Sequence, residues 1–170
     1  MNRSTTILAS LGMGLWASLA MAAPPEPVVL APIEHIDAQL VIVDMDGNEH
    51  VYTPDSLEAM GAFRVVTKTP WRPEEAVFEG TTLQVLLRAH GLDGSGAIRV
   101  TAENDFQSIV EREVWEDVPI LLATRVDGRP HTRRARGPIQ FVIPDADYSS
   151  SDVAKEGHLV WMAARIEPVR

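Results

Sequence analysis

The chain contains no cysteine. That absence removes disulfides, thiolate nucleophiles and every thiolate-ligated metal, so stability has to come from a buried core. Histidine is dispersed: His35, His50, His90, His131 and His158 stand singly, without the paired spacing of a zinc site. No Gly-x-Ser-x-Gly stretch exists to build the strand-turn-helix elbow of a serine hydrolase. Positive charge is also short, with 15 Lys and Arg against 24 Asp and Glu and a net charge of −9. Such a balance repels phosphate backbones and argues against a nucleic-acid partner.

What is present begins with a processing signal. Arg3 precedes an apolar run over residues 7–20, interrupted by Gly12 and Gly14, and Ala20-Met21-Ala22 supplies small residues at a cleavage site. Residues 1–22 therefore read as a signal peptide, with Ala23 as the new N-terminus. The expected destination is the periplasm or the exterior. The run is shorter than the ~20 residues of a span, and no later run is longer, so no membrane span is expected after cleavage. Pro24, Pro25, Pro27 and Pro32 make residues 23–37 a stiff, extended leader. Residues 38–170 then form one domain.

Within it, residues 40–44 and 49–52 flank Asp46-Gly47 as a β-hairpin. The stretch from Asp44 to Asn48 resembles a calcium loop, but its glycine comes too early for that spacing. Thr53 and Pro54 open a helix that ends near Gly61. Residues 63–68 alternate as a strand, and Trp71 lies in a loop between Pro70 and Pro73. Thr81 and Gln84 suggest a capping box for a helix with Leu83, Leu86, Leu87 and His90 on one face, closed by Gly91. The glycines of residues 91–96 follow a helix, so they form a connector and not a phosphate cradle. Strands are expected over 98–101, 106–110, 120–126 and 139–143, with a helical turn at 114–117 and a tight turn at Asp127-Gly128. Residues 145–151 read as a polar loop, and a last strand over 158–166 carries Trp161. Many strands and two short helices indicate a single mixed domain of the α+β class.

Arg129, His131, Arg133, Arg134 and Arg136 form the only local basic cluster. Guanidinium groups suit two-pronged hydrogen bonding to carboxylate, phosphate or sulfate. Arg136 precedes Gly137-Pro138, which places it at the mouth of the strand over 139–143 and off its buried face. The alternative is a solvated loop whose charges offset neighbouring acids. Asn104-Asp105-Phe106 sets polar groups beside an aromatic wall at a strand end. Trp71 is either a lid over a pocket or a core plug.

The order of several short motifs is similar to the sulfite-oxidase-type, molybdopterin-binding oxidoreductase domain over residues 38–168. These are Tyr52-Thr53-Pro54-Asp55-Ser56-Leu57, Trp71, Phe78-Glu79-Gly80-Thr81-Thr82-Leu83, Asn104-Asp105-Phe106, Leu121-Leu122-Ala123, Asp127-Gly128-Arg129-Pro130, Arg136-Gly137-Pro138 and Val160-Trp161. The resemblance implies the mixed α+β fold of that family, and a pocket at Thr67, Trp71, Asn104, Asp105 and Arg136. It also implies that catalytic members bind molybdenum through a cysteine. Thr67 stands near that position, and a hydroxyl is a poor substitute for a soft thiolate. The expectation is a small exported branch of the family, non-catalytic and without cofactor. It would bind a small anionic ligand, or a partner such as the periplasmic segment of a membrane signalling protein, as a sensory or accessory component. The alternatives are a molybdopterin-dependent periplasmic oxidoreductase and a structural subunit of an envelope complex.

Overall fold

Period-two alternation of apolar and polar residues dominates the chain, and the computed structural model turns it into two sheets. The structure describes residues 24–169. The signal-peptide expectation, on residues 1–22, lies outside the described residues. In chain order the elements are β1 (Glu26–Val28), β2 (Leu40–Val43), β3 (Glu49–Tyr52), α1 (Pro54–Ala59), β4 (Ala62–Thr69), β5 (Arg72–Thr82), α2 (Leu83–Ala89), β6 (Ala97–Ala102) and β7 (Gln107–Glu111). They continue with α3 (Arg112–Asp117), β8 (Leu121–Val126), β9 (Arg129–Pro130), β10 (Gln140–Val142), α4 (Asp145–Ser150) and β11 (Ala163–Pro168), with 3-10 turns at Arg133–Ala135 and Glu156–His158. The α+β class is as the sequence indicates, in a single compact domain.

One sheet has the order β1-β4-β5-β8-β10, with β9 also on β8; the other runs β3-β2-β11-β6-β7. All pairs are antiparallel except β2 with β11, where Arg165 faces Val41 and Ile166 faces Ile42. The main core lies between the second sheet, the helices and one face of the first, and centres on Leu40, Ile42, Leu86, Val100, Leu122, Phe141 and Ile166. A smaller cluster of Val65, Phe78, Leu121, Ala123 and Val142 covers the opposite face of the first sheet. Strand β8 is thus buried on both faces, which its unbroken run Leu-Leu-Ala-Thr requires. Among the described residues no helix is long and apolar enough to cross a membrane.

Several expectations change. Residues 24–37 are not separate from the domain that follows. Strand β1 pairs with β4, Glu26 opposite Arg64, and Ala31 accepts a hydrogen bond from Arg125. Proline is tolerated there because β1 is an edge strand. Trp71 is not in a broad loop: Thr69 pairs with Arg72, so Pro70-Trp71 is a two-residue turn leading into the long β5. The cap of α2 is Thr82, whose hydroxyl accepts from the amide of Val85; Thr81 is buried in β5 instead. Residues 145–150 form α4, which lacks a full apolar face and so escapes a periodicity test. Strand β11 starts at Ala163, leaving Trp161 in the loop before it.

Gly80 shows why β5 and β8 fit so closely. The strand is bulged between Glu79 and Gly80, and a Cβ built on Gly80 would overlap the carbonyl of Leu122.

Candidate functional site

Three turns distant in sequence converge at one corner of the molecule. Trp71 comes from the β4–β5 turn, Arg136 from the end of the 3-10 turn at Arg133–Ala135, and Trp161 from the loop before β11. The two indole rings meet with centroids 5.3 Å apart, tilted by 59°. The guanidinium carbon of Arg136 lies 5.0 Å from the Trp71 ring and 4.8 Å from the Trp161 ring. Both distances are within range for attraction between a cation and an aromatic face.

Local chemistry fixes this geometry. Thr132 caps the 3-10 turn, its hydroxyl accepting from the amide of Ala135 and its carbonyl from the amide of Gly137 at 2.8 Å. Arg136 is left-handed, with φ 78°, as is Met162 at 54°. The amide of Met162 donates to the carbonyl of Arg136 at 3.2 Å, so the two strained residues hold each other. A left-handed non-glycine residue costs roughly 1–2 kcal/mol, and such strain persists only where the surrounding structure over-determines the backbone.

The Nε of Arg136 is buried and has no hydrogen-bond partner among the described residues. Arg136 borders a cavity of about 260 Å³ whose lining also includes Trp71, Arg72, His131 and Gln140, with Glu74 at its wall. His131 is 2% exposed, and its Nε2 lies 2.8 Å from Oε1 of Gln140. With Oε1 of Gln140 as the acceptor, Nε2 carries the proton and Nδ1 presents a lone pair. Nδ1 is buried and also without a partner among the described residues. Burial pushes the pKa of His131 down, the bond to Gln140 opposes this, and the charge of Arg72 adds to the fall. Gly137 packs against this imidazole: a Cβ there would come 2.5 Å from the carbonyl oxygen of His131 and 2.6 Å from its Cγ. Across Trp71 lies a second, more apolar cavity of about 320 Å³, lined by Asn104, Phe106, Leu159 and Trp161 among others.

Of the residues expected to form the pocket, Trp71 and Arg136 come together. Arg136 is half-buried under the indoles, and is not the exposed strand-mouth cation the sequence suggests. Asn104 lines the cavity beyond Trp71, and its Oδ1 accepts from the amide of Phe106 at 3.3 Å, so its amide builds a turn. Asp105 is exposed at the tip of the β6–β7 hairpin with φ 63° and borders neither cavity. Thr67 is buried elsewhere. Its hydroxyl accepts from the amide of Asp145 at 2.8 Å and donates to the carbonyl of Lys68 at 3.1 Å.

Within the basic cluster, Arg133 is engaged by Glu103 through two bonds of 2.7 and 2.8 Å, which is the charge-offset arrangement. His131 is core, not surface. Sequence reasoning missed Trp161, His131 and Gln140 as members of this corner. The tight His131–Gly137 packing explains the Arg-Gly-Pro break, but the sequence carries no sign of what the glycine packs on.

Two further polar clusters lie away from this corner. His35, Asp55 and Glu58 bring three possible metal-ligating atoms within 4.8 Å of one another. Both oxygens of Glu58 already accept from Arg125, so a guanidinium occupies the place of a cation. In the second cluster, His90 bonds the hydroxyl of Tyr52 at 2.8 Å and meets His50 at 4.3 Å between centroids, the rings tilted by 44°. His50 in turn meets Asp44 at 3.0 Å. The turn carboxylate of Asp44 also accepts from two amides, at Asp46 and Asn48, and the bond from His50 is the largest of the effects holding its pKa far below the usual range. This network ties α2 to the first hairpin, a link invisible when His90 is read only against its own helix.

Compared with known proteins, the chain matches no family model and no curated protein.

Proposed function

We propose that this domain binds a small anion at Arg136, against Trp71 and Trp161, as an exported binding or accessory component and not as an enzyme. One observation carries this. A guanidinium is presented on two indole faces by a strained backbone, while its Nε has no partner among the described residues. A surface arginine free to adopt any rotamer has no need of such a frame. Guanidinium on an aromatic platform is partly desolvated and pre-organised, which strengthens charge-assisted bonds to an oxyanion. The apolar cavity across Trp71 would take the body of a larger ligand, or an apolar side chain from a partner's segment. Phe106 and Trp161, 47% and 37% exposed, favour the same surface.

The sulfite-oxidase-type fold belongs to the same proposal, supported by the order of motifs from Tyr52 to Trp161 and by the mixed α+β architecture. The residues present do not fit that family's molybdenum. Thr67, nearest the position of the thiolate, offers a hard oxygen already committed to the main chain at Asp145 and Lys68. A non-catalytic role is the better match to this donor set than a molybdopterin-dependent oxidoreductase.

Titrating the purified chain with phosphate, sulfate, acetate and glycolate, followed by calorimetry and tryptophan fluorescence, tests the proposal. At least one anion should bind, and Arg136→Ala should weaken it by about 2 kcal/mol, as bonds to charged groups are worth about 1.5–3. Equal affinity in the two proteins would make Arg136 structural.

A further inference from the structure

Resting on the anion site just proposed, we infer that the cavity beside Arg136 selects an oxyanion that carries its own hydroxyl proton, through a lone pair that His131 presents to it. Two of the residues that line this cavity each carry a buried side-chain nitrogen without a partner among the described residues, and the two nitrogens are of opposite kind. Nε of Arg136 is a donor, and Nδ1 of His131 is an acceptor. The tautomer is fixed by Gln140, which accepts from Nε2. The packing of Gly137 on the imidazole leaves the ring little room to turn.

A buried donor and a buried acceptor are satisfied together by a ligand with an anionic oxygen and a nearby O–H. Hydrogen phosphate meets this description throughout the neutral range, and so does a 2-hydroxy carboxylate. Sulfate and acetate do not: either would set an oxygen lone pair against the lone pair of Nδ1. A buried acceptor left facing an acceptor is costly, so the site discriminates by rejection as much as by attraction. The remaining charges at the cavity are Arg72 and Glu74. Arg72 is paired with Asp127 at 2.9 Å, so Arg136 is the cation left to an anion there, with Glu74 opposing it. The cavity, at about 260 Å³, has room for a small oxyanion.

Competition among four anions on the wild-type chain at about pH 7.5, above the ordinary histidine range, tests this directly. Phosphate and glycolate each carry the required O–H; their relative affinities tell inorganic phosphate from a hydroxy acid as the better-fitting source. One or both should bind at least about tenfold more tightly than sulfate and acetate, since a site built around a ligand hydroxyl rejects analogues that lack it. His131→Gln keeps a nitrogen where Nε2 stood and removes the Nδ1 lone pair, so it should bring phosphate and glycolate down to the level of sulfate. His131→Asn restores an acceptor near Nδ1 and should recover part of the preference. Acidification of the wild-type chain, by placing a proton on Nδ1, should raise sulfate binding relative to phosphate.

Equal binding of all four anions by the wild-type chain, or a preference unchanged in His131→Gln, overturns the inference while the Arg136 site stands. Failure of every anion to bind removes the site itself. If His131→Gln does not fold, the wild-type competition and its dependence on pH still decide the matter.

Discussion

Glu58 on α1 grips Arg125 on β8 with both carboxylate oxygens, at 2.9 and 2.5 Å, and the two side chains are only 8% and 5% exposed. Thr124 adds a 2.6 Å bond to the same carboxylate. Burial alone would raise the pKa of Glu58; the bonds from Arg125 and Thr124 outweigh it and hold the group below its ordinary value.

Glu58→Gln should therefore destabilise the fold by about 3 kcal/mol, because it strands a buried guanidinium. Since the folded pKa is depressed, the stabilisation by Glu58 is complete above the unfolded value of 4.5 and is lost as pH falls through the folded one. Urea melts at stepped pH should show an acid limb that is flatter in the variant. An unchanged midpoint near neutrality would show that the pair contributes nothing net.

At position 136, backbone and side chain can be separated. Arg136→Ala loses the indole contacts and keeps the left-handed φ of 78°, whereas Arg136→Gly loses the contacts and relieves the strain. The glycine variant should be the more stable of the two by about 1 kcal/mol, with the anion affinity of both equally reduced. An alanine variant as stable as the glycine one would mean that the turn relaxes.

Gly80→Ala should be among the most damaging small substitutions in the protein. Its methyl group would collide with the carbonyl of Leu122, a backbone atom inside a sheet that cannot step aside. A loss of about 2–3 kcal/mol is expected, read as a lower urea midpoint. Gly91→Ala is the contrast: it meets only open space, though at φ 65°, and should cost about 1 kcal/mol.

Stability should also fall as pH drops below the ordinary histidine value of 6.5, since burial is the leading cause of a lowered pKa at His90, His131 and His158. Their folded forms hold fewer protons than the unfolded chain, so the stabilisation is complete above 6.5 and lost toward the lower folded values. His158→Asn keeps an acceptor for the amide of Lys155, which now donates to Nδ1 at 3.1 Å, and cannot titrate. Its stability should vary less between about pH 7 and 5 than that of the parent. An identical profile would remove His158 from the account.

Much of the fold is legible because its signals are local. The alternation of Val65 and Thr67 with Arg64, Val66 and Lys68, the Thr53-Pro54 start and the Asp127-Gly128 turn each follow from neighbours in sequence. Strand β5 escaped because Pro73 and the charges of Glu74 and Glu75 at its exposed end mask the pattern. Helix α4 has no apolar stripe to announce it. The corner at Arg136 was half legible: a guanidinium before Gly-Pro suggests an anion site, but its aromatic platform draws on residues 71 and 161. Only the packed topology brings those two turns together. Asn104 and Asp105 misled for the opposite reason, since residues that suit ligands also suit the turns they actually build.

The place of β11 sets the order in which the molecule can be completed. The last strand of the chain is the middle strand of its sheet, paired parallel to β2 and antiparallel to β6. Until residues 163–168 are available, β2 with β3 and β6 with β7 are two separate hairpins, each with an open edge and an uncovered apolar face. Half a sheet of this kind is a template for the wrong strand. A chain that lacks residues 163–168 therefore cannot close its main core, and its two hairpins keep open edges that invite pairing with neighbouring chains.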